Sequence, residues 1–169
     1  MSGFKSAALK GKTSIKKVPA RKVKPGGILH FTISVSDLER ARRFYEDIVG
    51  ATFWRQNNAT VFMKAGEQYF VLTKPRNHPH VPPNQGREVL IHHAFLVQGE
   101  DFDAAAAHLE ANGIEVLVYE DQGHRSFTGR HLYFHDPDVN TIEFIDFHGV
   151  GDVDAPDFEG RYHRREEKA

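Results

Sequence analysis

One carboxylate stands in the middle of an apolar strand predicted near the end of this chain. Glu143 lies between Ile142 and Phe144 in the stretch DPDVNTIEFIDF, which spans residues 136–147 and opens with an Asp-Pro-Asp turn. Burying an ionised carboxylate is costly unless a cation, a metal ion or a proton compensates its charge. The chain has 11 His and no Cys, so a metal ion would be held here by nitrogen and oxygen ligands.

Two histidines occupy equivalent places in an internal repeat. The stretch LHFTISV at 29–35 alternates like a strand, and IHHAFLV at 91–97 repeats its pattern. If the apolar face of each strand packs under a helix, His30 and His92 point the other way, and pleating gives Glu143 the same direction. His93 then falls on the helix face. A single inward histidine is commonly a hydrogen-bonded core residue, but two imidazoles and a carboxylate together form a facial triad for a divalent metal.

The elements that carry these residues form two copies of one β-α-β-β-β unit. In both copies a glycine ends the helix, 20 residues after His30 and 21 after His92. The first copy has a helix that starts at a capping box, Ser36 to Glu39, and strands at 29–35, 52–55, 60–64 and 68–73. The second copy has a helix at 102–112 and strands at 91–97, 114–119, 131–135 and 141–147. We therefore predict an α+β fold in which two paired modules form an open, barrel-like sheet cavity.

The two ends of the chain differ from its middle. Residues 1–28 form a basic arm with eight Lys or Arg and no acid, and residues 150–169 form a charged tail. Between them, residues 29–149 make the folded domain, with module one at 29–73, a loop at 74–88 and module two at 89–149. We interpret the arm as a solvated tail, since Phe4 is its only aromatic residue, and keep nucleic acid or an anionic surface as the alternative partner. With no membrane span and no signal-peptide pattern, we expect a cytoplasmic protein.

These residues resemble the vicinal-oxygen-chelate superfamily, which includes glyoxalase I, the fosfomycin-resistance and bleomycin-resistance proteins and the extradiol dioxygenases. The resemblance rests on LHFTISVSDLERARRFYEDIVG, IHHAFLV and GRHLYFHDPDVNTIEF, and it covers residues 28 to about 149. In that family the metal ligands lie on the first strand of each unit and on the last strand, which matches His30, His92 and Glu143. The resemblance implies a divalent metal, with Fe(II) or Mn(II) favoured over Zn(II) or Ni(II), and a homodimer.

Three further polar residues are candidates for chemistry. His131 and Tyr133 alternate onto one face of the strand beside Glu143, and the resemblance implies that this face lines the cavity. Both side chains can donate near neutral pH, to move a proton or to stabilise an oxyanion, although each could also be a polar barrel residue bonded to water. His124 lies in a Gly-containing loop that could reach over the cavity mouth.

No branch of the superfamily is matched throughout. The glyoxalase I branch has a further Glu on the last strand of its first unit, where this chain has Gln68 to Val71 without a carboxylate. The extradiol signature nearly recurs around His124 and Tyr133, but the base histidine of those enzymes is absent near Tyr69. The fosfomycin-resistance proteins share an Arg-x-x-Tyr-Phe run, which is matched here by Arg130, Tyr133 and Phe134.

The sequence thus predicts a metal-dependent enzyme acting on a small substrate that chelates the metal through vicinal oxygens. Because of His124 and Tyr133 we favour ring cleavage of the extradiol-dioxygenase type. The alternatives are a glyoxalase-like lyase or isomerase and a fosfomycin-resistance-like transferase or hydrolase. A non-catalytic, drug-sequestering protein is the alternative from another class, and it would have no need of His30, His92 and Glu143.

Overall fold

The structure, a computed structural model, describes residue 25 and residues 27–76, 91–121 and 127–150. The predictions for residues 1–24 of the basic arm, for the tail beyond residue 150 and for His124 lie outside the described residues. Within the described residues, no helix is both long and apolar enough to cross a membrane.

Both predicted β-α-β-β-β modules are present, each with its helix and one four-stranded sheet. The elements of the first module are β1 (His30–Ser34), α1 (Leu38–Asp47), β2 (Thr52–Asn57), β3 (Thr60–Ala65) and β4 (Gln68–Thr73). Those of the second are β5 (His92–Leu96), α2 (Glu100–Ala111), β6 (Val116–Asp121), β7 (Phe127–His135) and β8 (Thr141–Val150). The sheets have the orders β1-β4-β3-β2 and β5-β8-β7-β6, and in each the first two strands are parallel and the other pairs antiparallel. The predicted α+β fold with open sheets is confirmed.

The internal repeat extends to the pairing of the strands. In the first sheet Thr32 of β1 pairs with Val71 of β4, and in the second sheet Ala94 of β5 pairs with Glu143 of β8. Thr32 follows His30 by two residues, as Ala94 follows His92. Val71 therefore occupies the place that Glu143 has in the other module, and the first module carries no carboxylate there.

The alternation predicted for the first strand of each module is found. On β1 the side chain of Ile33 is buried and that of His30 is exposed, and on β5 the same holds for Phe95 and His92. The buried residues of these strands join both helices in one apolar core, because each sheet turns one face to a helix. That core includes Ile33, Val35, Phe44, Tyr45, Phe70, Phe95, Phe102, Leu109, Leu132, Ile142 and Phe144.

The predicted capping box of α1 is wrong by one residue. The N-cap is Asp37, whose carboxylate accepts a hydrogen bond of 2.9 Å from the backbone N–H of Arg40. Ser36 instead accepts from the guanidinium of Arg40, and the carboxylate of Glu39 pairs with Arg42 and Arg43. Asp caps a helix as well as Ser does, so two adjacent capping residues left the start of the helix ambiguous in the sequence.

A bulge lets β7 begin four residues before the predicted start at His131. The pairing with β8 shifts between Thr128 and Gly129, and Gly129 has a φ of 141°. A Cβ atom at this position would overlap the carbonyl oxygen of Asp146 on the neighbouring strand. Only glycine therefore fits the bulge, and the strand continues beyond it to Phe127.

The Asp-Pro-Asp turn between β7 and β8 ties the two modules together. Oδ2 of Asp136 accepts hydrogen bonds from the Tyr45 hydroxyl at 3.0 Å and from the Asn140 side chain at 2.8 Å. Its Oδ1 accepts from the backbone N–H groups of Asp138 and Asn140. Asn140 also donates to the carbonyl of Ser34 at the end of β1, at 3.0 Å. The turn thus fixes β8 against α1 and β1 of the other module.

We expect Asp136→Ala to lower the free energy of unfolding by about 2–5 kcal/mol, because it leaves several buried donors without an acceptor. Urea denaturation measures this as an earlier midpoint at an unchanged slope. Asp47→Ala, which removes an exposed carboxylate at the end of α1, is the control. Equal midpoints for the two variants would show that the turn does not lock the modules.

Candidate metal centre

Glu143, only 4% exposed, contacts three of the predicted site residues. Its Oε1 accepts a hydrogen bond of 2.7 Å from the Tyr133 hydroxyl and lies 2.6 Å from Nδ1 of His131. Its Oε2 lies 3.1 Å from Nε2 of His92. The strand pairing produces this cluster, because Tyr133 of β7 stands directly opposite Glu143 of β8, and β5 with His92 flanks β8 on its other side.

The carboxyl group of Glu143 is held in its ionised form. Burial favours the neutral acid, but hydrogen bonds from His131, His92 and Tyr133 outweigh it and lower the pKa from 4.5 to about 2. A carboxyl group must be deprotonated to bind a metal ion. Glu143 therefore meets that requirement at neutral pH without a change of protonation.

The imidazole of His131 lies between two acceptors. Its Nε2 is 3.1 Å from the carbonyl oxygen of Phe127, which can accept a hydrogen bond from this nitrogen. Its Nδ1 lies 2.6 Å from Oε1 of the Glu143 carboxylate, which can accept a hydrogen bond from this side of the ring. The buried ring therefore lies within hydrogen-bonding distance of the Glu143 carboxylate and of a backbone carbonyl.

The adjacent histidines His92 and His93 lie on opposite faces of β5, as the alternation predicts. The His92 side chain is 31% exposed, so it remains accessible from solvent beside Glu143. His93 packs on the helix face, where its ring stacks on Phe31 with 5.1 Å between the centroids. Burial, together with neighbouring His92, lowers the pKa of His93.

His30 is not brought to His92 and Glu143 within one chain. It lines a groove of about 590 Å³ together with Leu96 and Val97, which stand at the opposite end of β5 from His92. The length of β5 separates the two ends by roughly 13 Å, at about 3.3 Å per residue. Among the residues that the structure describes, no three His, Cys, Asp or Glu side chains are arranged to hold a metal ion.

Arg130 and Tyr133, which belong to the same Arg-x-x-Tyr-Phe run, point to opposite faces of β7. The Arg130 guanidinium binds Asp146 on β8 and Asp103 on α2, and it lies 4.7 Å from the ring centroid of Phe102. These contacts attach α2 to the outer face of the sheet. Arg130 is therefore a structural residue of the second module, whereas Tyr133 stands beside Glu143.

Comparison with known proteins matches residues 27–144 to the model of one family, the Glyoxalase/Bleomycin resistance protein/Dioxygenase superfamily. The chain belongs to this superfamily. The match spans both modules and ends just after Glu143, and the resemblance stated from the sequence is confirmed.

Similar proteins of known name include transferases and a lyase. The chain is 29% identical over 114 residues to the glutathione transferase FosA of Serratia marcescens, which covers 68% of this chain and 76% of that protein. It is 28% identical over 117 residues to a metallothiol transferase FosB of Lysinibacillus sphaericus, covering 69% and 79%. Among solved structures, lactoylglutathione lyase from Agrobacterium tumefaciens matches with a TM-score of 0.56 and 26% identity, covering 72% of this chain and 94% of that one. These names favour the transferase and lyase alternatives and do not support our preference for ring cleavage.

Proposed function

We propose that this protein is a divalent-metal-dependent enzyme that transfers a group to, or rearranges, a small substrate bound through two neighbouring oxygens. The observation that carries this proposal is the cluster around Glu143: an ionised, buried carboxylate with an accessible imidazole on one side and two proton donors on the other. Chemistry of the thiol-transferase or lyase type is favoured by the names of the similar proteins. The substrate tests described below also distinguish this proposal from ring cleavage and from drug sequestration.

The donor set fits a divalent metal. Imidazole nitrogen and carboxylate oxygen suit Mn(II), Fe(II), Zn(II) or Ni(II), and His92 and Glu143 would supply one donor of each kind. When bound, the metal would supply Lewis-acid polarisation of the substrate oxygens. Tyr133 and His131 would orient Glu143 through their hydrogen bonds, and such outer partners commonly tune the affinity of a metal ligand.

We propose that His30 of a second copy of the chain completes the ligand set. Within one chain His30 and His92 stand near opposite ends of β5, and each of β1 and β5 pairs with a single strand among the described residues. Large apolar side chains are exposed beside both strands, namely Ile28, Leu29, Ile91 and Leu96. An exposed apolar surface along an open strand edge is the kind of surface that proteins cover by association. A symmetric dimer would bury it twice and form two sites.

Mixing two inactive variants tests the shared site. His30→Ala and His92→Ala homodimers would each lack one ligand in both sites, and both should be inactive. After unfolding and refolding together, half of the dimers would be mixed and each would carry one intact site. We therefore expect the mixture to recover about a quarter of the unaltered activity. No recovery, with mixed dimers demonstrated by mass spectrometry, would place His30 in the same site as His92 of its own chain. An active His30→Ala homodimer would place His30 outside the site.

The reaction class is tested with Mn(II)-loaded protein and three substrate pairs: fosfomycin with glutathione, methylglyoxal with glutathione, and catechol with oxygen. We expect product with a glutathione pair and no oxygen uptake. Oxygen uptake matched to a coloured product would restore the dioxygenase interpretation. A compound that binds tightly and is recovered unchanged, with or without metal, would favour a sequestering protein.

A further inference from the structure

A bulge in β2 places two consecutive side chains on one face of the first sheet. The pairing of β2 with β3 shifts between Phe53 and Arg55, with Phe53 opposite Met63 and Arg55 opposite Phe62. Consecutive residues of a regular strand point to opposite faces, but the extra residue of a bulge breaks this rule. Trp54 and Arg55 consequently both contact the ring of Phe62.

These residues form a continuous surface of rings and cations. The guanidinium carbon of Arg55 lies 4.3 Å from the Trp54 ring centroid and 4.6 Å from that of Phe62. The Trp54 ring contacts Tyr69 with 5.1 Å between centroids, and Nζ of Lys64 lies 5.3 Å from the Tyr69 centroid. Trp54 is 48% exposed. We call Trp54, Arg55, Phe62, Lys64 and Tyr69 the cationic aromatic face.

The charge of this surface has one sign. None of the strands β1 to β4 contains Asp or Glu. Among the described residues, Glu67 in the turn after β3 pairs with this surface, its almost fully exposed carboxylate 3.9 Å from Nζ of Lys64. An exposed pair at this distance contributes little, so both cations can bind an incoming anion.

The second module shows that the fold itself does not require this surface. Its β6 has the equivalent shift of pairing, between Val116 and Val118, and the residues there are Leu117 and Val118. Val118 is buried against Tyr133, and Leu117 packs beside them. One bulge of the repeat thus carries aliphatic residues, whereas the other presents an indole and a guanidinium to solvent.

The cationic aromatic face adjoins the predicted metal ligand of its own module. His30 of β1 pairs with Tyr69 of β4, and Tyr69 pairs with Lys64 of β3. All three side chains lie on the face turned away from the helix, because Phe70 and Met63 beside them are buried in the core. Neighbouring strands are about 4.8 Å apart, so β3 and β2 lie roughly 10 and 14 Å from His30.

We propose that the cationic aromatic face binds the part of the substrate that the metal does not hold, and that this part is planar and negatively charged. The inference rests on the proposed function, since it takes His30 as a metal ligand. The rings supply a flat apolar wall. Arg55, stacked on two of these rings, keeps its N–H edges free to bind a carboxylate or phosphonate in the bidentate manner. The substrate class is therefore an unsaturated organic anion with its charge remote from its two chelating oxygens.

Binding at the cationic aromatic face can be followed by tryptophan fluorescence, because Trp54 is the only Trp of the chain. The probes are 3-(3,4-dihydroxyphenyl)propanoate and its carboxamide, which differ in charge and share the ring and the vicinal oxygens. Tryptophan fluorescence is titrated with each probe, in metal-free and in Mn(II)-loaded protein. We expect the propanoate to bind roughly ten-fold more tightly than the carboxamide, since a charge-assisted hydrogen bond is stronger than a neutral one.

Variants test whether the preference for the propanoate arises at the cationic aromatic face. Arg55→Gln should bring the two affinities to within about two-fold of each other, and Arg55→Lys should keep part of the preference because the charge remains. Arg43→Gln, which removes an exposed cation from α1, should leave it unchanged. Melting temperatures check that each variant is folded.

Two results would overturn the inference. One is equal affinity for the propanoate and the carboxamide in the unaltered protein. The other is a Trp54 signal that follows protein concentration and ignores both probes, as it would if a second copy covered the face. A protein that prefers the anion but never binds metal would instead contradict the proposed function, and the cationic aromatic face would remain an anion-binding site.

Discussion

His92→Ala is expected to bind less than about a tenth of the divalent metal bound by the unaltered protein, whereas His93→Phe should bind close to one ion per chain. The two residues are neighbours on β5, but only the His92 imidazole is beside Glu143, and His93 is stacked on Phe31 under the helix. Metal content after dialysis against Mn(II), followed by competition with a chelator, measures both. Phenylalanine at position 93 preserves a ring that packs on Phe31. The control therefore removes the imidazole of His93 without disturbing the packing of the core.

The opposite result would be informative about the strand. If His93→Phe lost the metal and His92→Ala kept it, the face of β5 assigned to the metal would be wrong. Loss in both variants with unchanged melting temperatures would mean that the metal is bound elsewhere, outside the cluster around Glu143.

Alternation along the strands predicted the part of the site that depends on one sheet. Alternation put His131 and Tyr133 on one face of their strand, and the resemblance implied that this face lines the cavity with Glu143; the structure brings their polar atoms within hydrogen-bonding distance. This was predictable because pleating has a strict period of two, and apolar residues such as Phe144 identify the buried face. The same period explains the exposure of His30 and His92.

Alternation along the strands could not predict how the two modules pack against each other. A pattern of period two says which face His30 is on, but it does not say which other sheet that face will meet. The sequence grouped His30 with His92 by repeat position, whereas the fold places them near opposite ends of β5. Whether a site is built within a chain or between copies depends on tertiary and quaternary packing, which repeat positions alone do not determine.

The bulge in β2 is the second feature that the sequence did not predict. The sequence analysis assigned no role to Trp54 or Arg55, and strict alternation sends these two side chains to opposite faces. The extra residue in the pairing with β3 puts both on the face of Phe62. In β7, Gly129 signals its bulge through its residue type, but Trp54 carries no such signal. The strand β2 is exposed along its whole length, so its sequence also lacks the alternation of apolar and polar residues that identifies the buried face of a strand.

Tyr133→Phe is expected to lower turnover on the true substrate by roughly ten- to a thousand-fold at saturating metal, with metal content close to that of the unaltered protein. The hydroxyl is buried and donates to Glu143, so it stands where an oxygen bound beside that carboxylate would develop negative charge. A donor fixed there stabilises the transition state more than the ground state. Tyr119→Phe, which removes an exposed hydroxyl from β6, is the matched control and should leave turnover unchanged.

Metal titration separates the two roles open to the Tyr133 hydroxyl. If it only orients Glu143, the variant will need more metal and then reach normal turnover, because orientation of a ligand is expressed as metal affinity. If it acts on the substrate, excess metal will not restore the rate. His131→Gln provides an independent readout: it should flatten the pH–rate profile if this imidazole moves a proton during turnover, since Gln can donate a hydrogen bond but cannot act as a general acid or base. An unchanged profile together with normal turnover in Tyr133→Phe would leave Glu143 and its metal without a proton donor among these residues, and would contradict the catalytic role given to the cluster.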